Sequence, residues 1–454
     1  MPESNKTHIL MVLGWYYPDS VGGTENYVRL LCHDLKSLDY EVTILAPSNN
    51  KTANKYEYEG IVVYRYPVSL SPSLREIRGQ EKPKHFESYE NIVKEINPDI
   101  AHFHSYTRGC SVYHAQFIKN QGIPVLTTIH VPDFICARGT LVKWGDTVCS
   151  GEMIAEECTA CVSQMHGMPK ALSHCLNHIP DFISERCLTI ENKFGTALSM
   201  KKIITKRIQN SKDLFELSDY IVSVSKWLEK IILINGVKKE KIFLSRHGLS
   251  EISQIKREKI TSKNGLLTIG YIGRFKPVKG IHVIIEAVKR LKPKVAVEVM
   301  IYGRADTEEE EAYLEELKSL STNEKRITFA GEVTPQNRSQ VFSNIDVLAI
   351  PSIWLETGPY VLLEAFSAGI PIIGSDLGGI SENVQDGVNG KLIEPGNVDE
   401  WSQAIKYLSN NKNLVEEYAS NIPLVRESMD VAKDMIGLYK SLLKLGDKSA
   451  ATAS

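Results

Sequence analysis

The chain of 454 residues is longer than one hydrophobic core usually supports, so its length favours two domains. Its 43% hydrophobic and 24% charged residues are ordinary for a globular protein, and its formal net charge of −2 excludes a global basic field that would attract nucleic acid. No apolar run approaches the ~20 residues of a membrane-spanning helix. The apolar segment His8–Gly14 is too short for a signal peptide, so we expect a cytoplasmic protein with reduced cysteines.

Short apolar runs alternate with helical patterns in the first half of the chain. The segment Thr24–Leu38 has helical periodicity, with Tyr27, Leu31 and Leu35 on one stripe. This alternation predicts parallel βαβ units with right-handed crossovers. The runs that indicate buried parallel strands are His8–Leu13, Val42–Ala46, Ile61–Tyr66, Asp99–Phe103, Val125–Ile129 and Tyr220–Val224.

The alternation stops at an insert of about residues 131–185, which contains five of the eight cysteines. A long helical region is predicted over Phe182–Leu217, and the polar stretch Arg246–Lys263 indicates a domain boundary. The predicted strands of the second half are Leu267–Ile272, Ala296–Ile301, Arg326–Phe329, Val347–Ile350 and Pro371–Gly374. We therefore predict domains at 1–248 and 249–425, a C-terminal helix at 426–446 and a disordered tail at 447–454.

Both halves open in a similar way, with a first strand that ends in glycine and leads through a polar loop into a helix. The glycines are Gly14, Gly22 and Gly23 in the first half and Gly273 and Gly280 in the second. In a Rossmann-like unit, ligands bind in the crevice where the strand order of the sheet reverses. Two such units in one chain would bring their crevices within reach of each other, and a ligand site is expected in the cleft between the two domains. The pattern predicts a two-domain α/β protein and leaves phosphorylases, epimerases and binding proteins open.

The strongest motif follows the predicted strand Val347–Ile350. It reads Pro-Ser-Ile-Trp-Leu-Glu356-Thr-Gly-Pro-Tyr-Val-Leu-Leu-Glu364-Ala, and its Gly358-Pro359 pair is predicted to open a helix. A helix N-terminus attracts anions, so a diphosphate bound there would leave Glu364 near a ribose and Glu356 near a sugar. Two glutamates on an amphipathic helix are also common surface residues, but this context favours a site.

A second motif, Gly270-Tyr-Ile-Gly273-Arg274-Phe-Lys-Pro-Val-Lys279-Gly280, follows the first strand of the second domain. Arg274 and Lys279 flank its turn. Two cations beside a diphosphate leaving group would stabilise the charge that develops as the glycosidic bond breaks. By itself, the pair of Arg274 and Lys279 could be two charged side chains on a solvent-exposed loop. Together with the glutamate motif, the pair indicates a phosphate-binding site.

In this order and spacing, the two motifs resemble the donor site of the retaining glycosyltransferases of family 4. That family has the GT-B fold, an α/β architecture of two Rossmann-like domains with a C-terminal helix that crosses back toward the first domain. The resemblance spans nearly the whole chain. Further matching segments are Val21-Gly22-Gly23-Thr24-Glu25, Ile129-His130, Phe329-Ala-Gly331-Glu-Val333, Leu377-Gly378-Gly379-Ile380-Ser-Glu382 and Gly387-Val-Asn-Gly390.

The resemblance implies a role for each matching residue. Arg274, Lys279, Glu356 and His130 would take part in catalysis. The implied donor-binding residues are Gly22, Gly23, Gly273, Gly331, Gly358, Tyr360, Val361 and Glu364. A histidine after a strand is often only a packing residue, but the resemblance favours contact of His130 with the donor sugar or the leaving phosphate.

The resemblance also implies the reaction, with residues 1–248 as the Rossmann-like acceptor domain and residues 249–425 as the Rossmann-like nucleotide-sugar donor domain. A hexosyl or N-acetylhexosaminyl group would pass, with retention, from a UDP- or GDP-sugar to a carbohydrate, lipid-linked or small-molecule acceptor in polysaccharide or glycoconjugate biosynthesis. No metal would be needed for catalysis. Two departures leave donor choice open: Gly358-Pro359 replaces the usual Phe-Gly, so a phosphate would rely on the amides of Tyr360 and Val361, and Arg246-His247-Gly248-Leu249 replaces the usual Asn-Gly-Val.

The cysteines of the insert have a spacing that permits a metal site. Cys136, Cys149, Cys158 and Cys161 include one C-x-x-C pair, and four thiolates would form a closed structural zinc site. The other two spacings match no common zinc module, so four reduced thiols remain an equal alternative. Side chains that could substitute as ligands are His166, His174, Cys175 and His178.

A basic, amphipathic stretch follows the insert. Its cations are Lys201, Lys202, Lys206, Arg207 and Lys212. Such a helix can lie on the anionic inner face of the cytoplasmic membrane, although a solvated helix face is the commoner outcome. The alternatives to glycosyl transfer are a sugar phosphorylase, a nucleotide-sugar epimerase and a non-catalytic nucleotide-sugar-binding protein.

Overall fold

The computed structural model describes residues 6–20, 22–190, 192–250 and 265–452. The chain divides into two compact units, of which the first comprises Met1–Arg246 with Met429–Ser454 and the second comprises His247–Ser428. The division lies two residues before the predicted end of the first domain at 248. Most of the predicted boundary stretch, residues 251–263, lies outside the described residues.

The first unit is built on an eight-stranded sheet with the order β10-β9-β6-β5-β1-β2-β4-β3. Every neighbouring pair is parallel except β3–β4. All six predicted strands are present, while the edge strands β3 and β10 and the separate hairpin β7–β8 were not predicted because they are short or partly exposed. The strands are β1 (His8–Val12), β2 (Glu41–Ser48), β3 (Asn54–Tyr58), β4 (Ile61–Pro67), β5 (Ile100–Phe103), β6 (Val125–Ile129), β7 (Val142–Lys143), β8 (Thr147–Val148), β9 (Tyr220–Ser223) and β10 (Ile242–Leu244).

The helices of the first unit connect these strands and form the insert. The long helical region predicted over Phe182–Leu217 is three helices, because Asn192 caps a new helix by accepting a hydrogen bond from the Gly195 amide. The helices are α1 (Gly23–Ser37), α2 (Leu74–Ile77), α3 (Phe86–Ile96), α4 (Val112–Asn120), α5 (Ala155–Met165), α6 (Lys170–Cys175), α7 (Asp181–Cys187), α8 (Lys193–Leu198), α9 (Met200–Leu217) and α10 (Lys226–Ile234).

The second unit contains a six-stranded, wholly parallel sheet with the order β13-β12-β11-β14-β15-β16. In chain order this is 3-2-1-4-5-6, the arrangement of dinucleotide-binding folds, which bind ligands where the order reverses. The strands are β11 (Leu267–Ile272), β12 (Val297–Tyr302), β13 (Ile327–Gly331), β14 (Val347–Ile350), β15 (Ile372–Ser375) and β16 (Gly390–Ile393). The helices are α11 (Ile281–Arg290), α12 (Glu308–Leu320), α13 (Arg338–Ser343), α14 (Tyr360–Ser367), α15 (Gly378–Asn383), α16 (Val398–Asn410) and α17 (Lys412–Ser420).

The last helix, α18 (Ser428–Thr452), belongs to the first unit from Met429 onward, which confirms the predicted return of the C-terminal helix. Its buried Tyr439 hydroxyl lies 2.8 Å from the ring of His102 on β5. The disordered tail predicted from Asp447 differs from the structure, because the helix continues to Thr452 through residues that include the good helix formers Lys448 and Ala450. No helix in the described part of the chain is long and apolar enough to cross a membrane.

Candidate active site

The strand order of the second unit reverses between β11 and β14, and the loops after these strands lie against each other. The Ile353 amide donates a 2.9 Å hydrogen bond to the Val278 carbonyl. Gly280 has a φ of +71°, and a Cβ added there would lie 2.0 Å from the Pro351 carbonyl oxygen. Only glycine fits this position, and the close contact joins the two predicted motifs at one crevice.

Glu356 is the most heavily bonded side chain of this crevice. Its Oε1 atom accepts hydrogen bonds from Lys279 Nζ at 2.6 Å, Ser352 Oγ at 2.7 Å and Trp354 Nε1 at 2.8 Å. The side chain is 8% exposed, and burial alone would raise the pKa of its carboxyl group. The Lys279 cation and the three donors outweigh that effect and hold the pKa below its ordinary value. Glu356 is therefore ionised and fixed at neutral pH.

The backbone of Glu356 is also held, by the closing glycine pattern of the unit. The Gly379 amide donates a 2.6 Å hydrogen bond to the Glu356 carbonyl. Gly378 has a φ of +55°, and a Cβ at that position would lie 2.9 Å from the same oxygen. The Gly378-Gly379 pair thus permits α15 to begin directly against the Glu356 loop.

The other predicted phosphate ligand, Arg274, lies on the same loop as Lys279 but near a different carboxylate. Its Nη1 atom is 3.9 Å from Glu310 Oε1, and Lys276 Nζ is 3.4 Å from that oxygen. Burial would raise the pKa of Glu310, but the Asp306 amide and the two cations lower it overall. Arg274 keeps 47% of its side chain exposed, so its guanidinium group is accessible to a ligand.

Helix α14 begins at Tyr360, with Pro359 as the extended residue before it. Tyr360 and Val361 therefore supply the first amides of the helix, as the sequence predicts. One turn further, Glu364 is 17% exposed and lies 3.5 Å from Arg338 Nη1. Burial raises the pKa of Glu364 although Arg338 opposes the shift.

His247 supports the start of α14, a role that the sequence did not indicate. Its Nδ1 atom lies 3.0 Å from the Gly358 carbonyl oxygen, and its ring stacks on Tyr360 at 5.0 Å. Burial lowers the pKa of His247 to about 4, so the ring is neutral at physiological pH. Gly358 has a φ of +152°, and a Cβ there would approach the histidine nitrogen to 3.2 Å. The two departures from the family pattern, at His247 and at Gly358-Pro359, are thus in direct contact.

Three glycines mark the carboxyl ends of the adjacent strands β11, β12 and β13. The Gly273 amide donates to the Tyr302 carbonyl at 3.1 Å, and the Gly303 amide donates to Gly331 at 2.8 Å. A Cβ on Gly303 would lie 2.2 Å from the Gly273 oxygen. The sequence named Gly273 and Gly331 but missed Gly303, which permits their close approach.

In the first unit, the predicted glycine loop precedes α1. Gly22 is the extended N-cap residue and Gly23 is the first helical residue, while Val21 lies outside the described residues. A Cβ on Gly22 would approach Glu25 Oε2 to 2.7 Å, and the other oxygen of Glu25 accepts a 2.7 Å hydrogen bond from Ser20. The loop and the first turn are therefore tied together by Glu25.

His130 follows β6 and is 4% exposed. Its Nε2 atom lies 3.1 Å from His104 Nδ1, and its ring meets the Tyr27 ring edge-on at 4.5 Å. His102 lies next to His104, with ring centres 3.9 Å apart. Burial lowers the pKa of His102 and His104 well below the ordinary histidine value, so both are neutral. The sequence analysis singled out His130 and missed His102 and His104, whose alternation at the end of β5 was the available signal.

The four predicted zinc ligands line one pocket in the insert. Backbone amides of Gly151 and Trp144 donate to the sulfurs of Cys149 at 3.5 Å and Cys161 at 3.4 Å. Burial raises the pKa of the Cys158 thiol to about 12. Within the described residues, no three His, Cys, Asp or Glu side chains are arranged to hold a metal ion, and zinc binding stays a prediction.

The basic stretch after the insert is α9, and its apolar face is used for packing. Met200, Ile204 and Leu214 are buried, and Lys202 lies 3.0 Å from Glu185. Arg207 stacks over the Tyr106 ring at 5.3 Å. Because the apolar side chains point into the unit, this helix does not offer them to a membrane. A peripheral membrane contact remains a prediction without support from α9.

Comparisons with known proteins agree with this architecture. The model for glycosyl transferases group 1 matches residues 253–424, and that for glycosyltransferase family 4 matches residues 21–147. An uncharacterised glycosyltransferase of Methanocaldococcus jannaschii is 25% identical over 449 residues, which cover 96% of this chain and 98% of the relative. Seven other similar curated proteins are matched over 29–60% of their own length.

Solved structures show the same fold. Sucrose-phosphate synthase from Thermosynechococcus elongatus has a TM-score of 0.66 at 17% identity, covering 97% of this chain and all of that one. The Anabaena protein HepE, solved with UDP and glucose, has a TM-score of 0.59 at 16% identity, covering 98% of each chain. The two family models, the relative matched over nearly its whole length and the solved structures together support a glycosyltransferase similar to family 4, with the GT-B fold.

Proposed function

We propose that the chain transfers a hexosyl or N-acetylhexosaminyl group from a nucleoside-diphosphate sugar, which binds at the β11–β14 crevice. The observation that carries this proposal is the Lys279–Glu356 pair, held at 2.6 Å beside the start of α14. A cation and a helix N-terminus can bind a diphosphate, and an ionised carboxylate can accept hydrogen bonds from the hydroxyls of the attached sugar. The related HepE fold, solved with UDP and glucose, supports a UDP-sugar, and a GDP-sugar is the alternative.

The side chains have separate tasks in this reaction. Lys279 and the exposed Arg274 stabilise the negative charge that grows on the diphosphate as its oxygen leaves the sugar C1 atom. The amides of Tyr360 and Val361 bind the phosphates at the start of α14. Glu356 accepts hydrogen bonds from sugar hydroxyls, and Glu364 accepts them from the ribose.

We infer a retaining, front-face displacement. The acceptor oxygen forms its bond to C1 on the face from which the phosphate departs, and the acceptor proton passes to a leaving phosphate oxygen. The His130 ring is buried and its Nε2 atom is held 3.1 Å from His104 Nδ1, which fits a histidine that orients the donor rather than one that attacks it. Proton NMR of the product checks this: an α-linked sugar supports retention, and a β-linked sugar from an α-configured donor contradicts it.

The test of the reaction uses the full chain with UDP-glucose, UDP-N-acetylglucosamine and GDP-mannose. We expect one donor to raise the thermal midpoint, since a ligand that binds only the folded state stabilises it, and to release its nucleoside diphosphate. Release of sugar 1-phosphate only with inorganic phosphate would indicate a phosphorylase. Conversion of the donor to its epimer would indicate an epimerase, and binding without release to any acceptor would indicate a binding protein.

We also propose that catalysis needs no divalent metal, because Lys279, Arg274 and the start of α14 already provide positive charge. Donor turnover is expected to be the same in EDTA and in buffer. Loss of turnover in EDTA that is restored by Mg²⁺ or Mn²⁺, but not by Zn²⁺, would contradict this. The zinc arm separates a structural metal in the insert from a catalytic one.

A further inference from the structure

Large hydrophobic side chains are exposed on the two short helices that precede α9. Of the fifteen such side chains that are exposed in the described part of the chain, seven lie within residues 165–198. Single exposed side chains are normal on a protein surface, whereas a concentration of them marks an interaction surface. The most exposed rings of this group are Phe182 on α7, at 64%, and Phe194 on α8, at 82%.

Helix α8 has its faces reversed relative to an ordinary amphipathic helix. Gly195 and the C-cap residue Ser199 are buried, and their spacing of four residues places them on one face. Phe194 and Leu198 have the same spacing, and both are exposed. An amphipathic helix normally buries its large apolar side chains and leaves small or polar ones in water. Packing within the first unit therefore does not use the large side chains of α8.

Helix α7 shows the same reversal. Its buried Ser184 donates a 3.0 Å hydrogen bond to the Leu198 carbonyl, which holds α7 against the end of α8. Cys187 is also buried, whereas Phe182 and Ile183 are exposed. Both helices pack on α9. The exposed apolar side chains of the two helices and of the segment between them form what we call the α7–α8 surface: Phe182, Ile183, Ile190, Phe194 and Leu198.

The acidic side chains of α7 are already paired. Lys202 of α9 lies 3.8 Å from Asp181 and 3.0 Å from Glu185. Helix α8 contains no acidic residue. The negative charges of the two helices are therefore compensated within the first unit.

The cations of the two helices are not compensated in this way. Arg186 and Lys193 are exposed, and no described residue forms an ion pair or a side-chain hydrogen bond with either of them. Arg186 lies four residues after Phe182 on the same side of α7, and Lys193 directly precedes Phe194. The uncompensated charge beside the exposed rings is therefore positive.

An anionic lipid surface suits this combination of groups. Phenylalanine and aliphatic side chains insert at the boundary between headgroups and acyl chains, while lysine and arginine bind anionic headgroups. The wider segment of residues 166–212 contains eight lysines and arginines but three acidic residues, which also favours an anionic partner. A two-fold contact between copies would bring the same cations of both chains together, and this repulsion disfavours self-association.

We propose that the α7–α8 surface docks the first unit on an anionic lipid membrane. Phe182 and Phe194 insert among the lipids, and Arg186 and Lys193 bind the headgroups. Helix α9, whose apolar side chains are buried, supports the two helices and does not insert. Docking requires neither a donor nor an acceptor, so it is independent of the proposed function.

The test is co-sedimentation of the full chain with two kinds of vesicle, one of phosphatidylcholine and one of phosphatidylcholine mixed equally with phosphatidylglycerol. One variant carries Phe182→Ser with Phe194→Ser. Its matched control carries Ile234→Ser with Leu424→Ser, which removes two exposed apolar side chains elsewhere. Thermal midpoints of all chains are measured in parallel, and we expect them to be equal because the substituted side chains are exposed.

A second pair of variants removes charge. Arg186→Gln with Lys193→Gln is compared with Lys294→Gln with Lys325→Gln, which removes two exposed lysines of the second unit. We expect the unmodified chain to bind the anionic vesicles at least tenfold more tightly than the neutral ones. The phenylalanine variant should lose about tenfold or more of this affinity, and the charge variant about fivefold for each cation. Both controls should bind as the unmodified chain does, and high salt should weaken its binding.

Several results would overturn the proposal. They are the absence of binding to either vesicle, equal binding to both, or unchanged binding by a folded phenylalanine or charge variant. A dimer of the unmodified chain that binds no vesicle and becomes a monomer in the phenylalanine variant would identify a second copy as the partner instead. A chain that turns over a donor but binds no vesicle disproves only the docking surface, whereas one that binds vesicles but no donor disproves only the proposed function.

Discussion

The two sheets both place polar groups at the point where the strand order reverses, but the two sets of groups are arranged differently. In the second unit, the charges of Lys279 and Glu356 are paired with each other at 2.6 Å. In the first unit, His102 and His104 are buried and neutral, and Glu76 has oxygens without a hydrogen-bond partner among the described residues. The charged groups of the second unit are already paired with each other, whereas Glu76 in the first unit has acceptor oxygens that no described residue uses.

This difference fits the chemistry of the two proposed substrates. A diphosphate develops charge at a fixed place in the transition state, and fixed groups stabilise it without reorganisation. An acceptor contributes hydroxyls that can satisfy buried oxygens when it binds. We therefore propose that the second unit supplies the catalytic stabilisation and that the first unit recognises the acceptor, as the family resemblance implies.

The largest effect is expected when the cations of the second unit are removed. Lys279→Ala and Arg274→Ala should each reduce turnover by roughly 10²-fold or more, the order of effect seen when one transition-state donor is removed from an enzyme. Steady-state release of nucleoside diphosphate measures this. Lys289→Ala, which removes an exposed lysine at the end of α11, is the matched control and should be unaffected. Near-normal turnover in both loop variants would contradict the phosphate-binding assignment.

Glu356→Gln should lower kcat by about tenfold or more, with a smaller change in donor KM, because we propose that Glu356 contacts the transferred sugar. The carboxylate also stabilises the fold. Its pKa is lowered in the folded chain, so its contribution is present above the ordinary glutamate pKa and is lost as the pH falls through the folded value. The thermal midpoints of the two chains should therefore differ at pH 7 and converge under acid conditions; equal midpoints at pH 7 would contradict the ion pair.

Glu364→Ala should mainly weaken donor binding, by about tenfold, because ribose contacts are equal in the ground and transition states. Burial raises the pKa of Glu364, so donor affinity should begin to fall at a higher pH than for an ordinary glutamate as the solution is acidified. Calorimetric titration with UDP and GDP between pH 5 and 8 measures both effects. Unchanged affinity in the variant would show that the ribose is bound elsewhere.

Substitutions in the cysteine-containing insert are expected to have the smallest effect on the donor site. If zinc binds the four cysteines, elemental analysis should find about one metal per chain, and replacing Cys158 and Cys161 with Ser should remove it. Cys187→Ser is the control, because Cys187 lies outside the pocket of the four cysteines and is not among the candidate ligands. Nucleotide binding should be unchanged in both variants. Turnover with the acceptor should fall only in the variant that lacks Cys158 and Cys161. A metal-free chain with an ordered insert and normal acceptor kinetics would identify ordinary thiols.

Much of the fold was predictable because parallel, buried strands give unbroken apolar runs such as Val125–Ile129 and Val347–Ile350. Short edge strands such as β10 give no such signal. At the candidate site, motif spacing located Lys279 and Glu356, but it could not show that Trp354 and Ser352 share the same oxygen with Lys279.

Other contacts depend on segments distant in sequence and have no local pattern. The approach of His247 to Gly358 joins residues 111 positions apart. The outward direction of Phe182 and Phe194 depends on how α7 and α8 pack against α9. That packing separates helices that the periodicity joined into one, so no single motif could indicate it.

The most direct test of the central claim is equilibrium binding of UDP and GDP to the full chain and to two variants. One variant carries Arg274→Ala and Lys279→Ala together, and the other carries Glu76→Gln. If the second unit binds the donor, the preferred nucleotide should lose about 100-fold or more in affinity for the double variant and bind Glu76→Gln as it binds the unmodified chain. Equal affinity for all three chains, or a loss confined to Glu76→Gln, would contradict the assignment of the donor to the β11–β14 crevice.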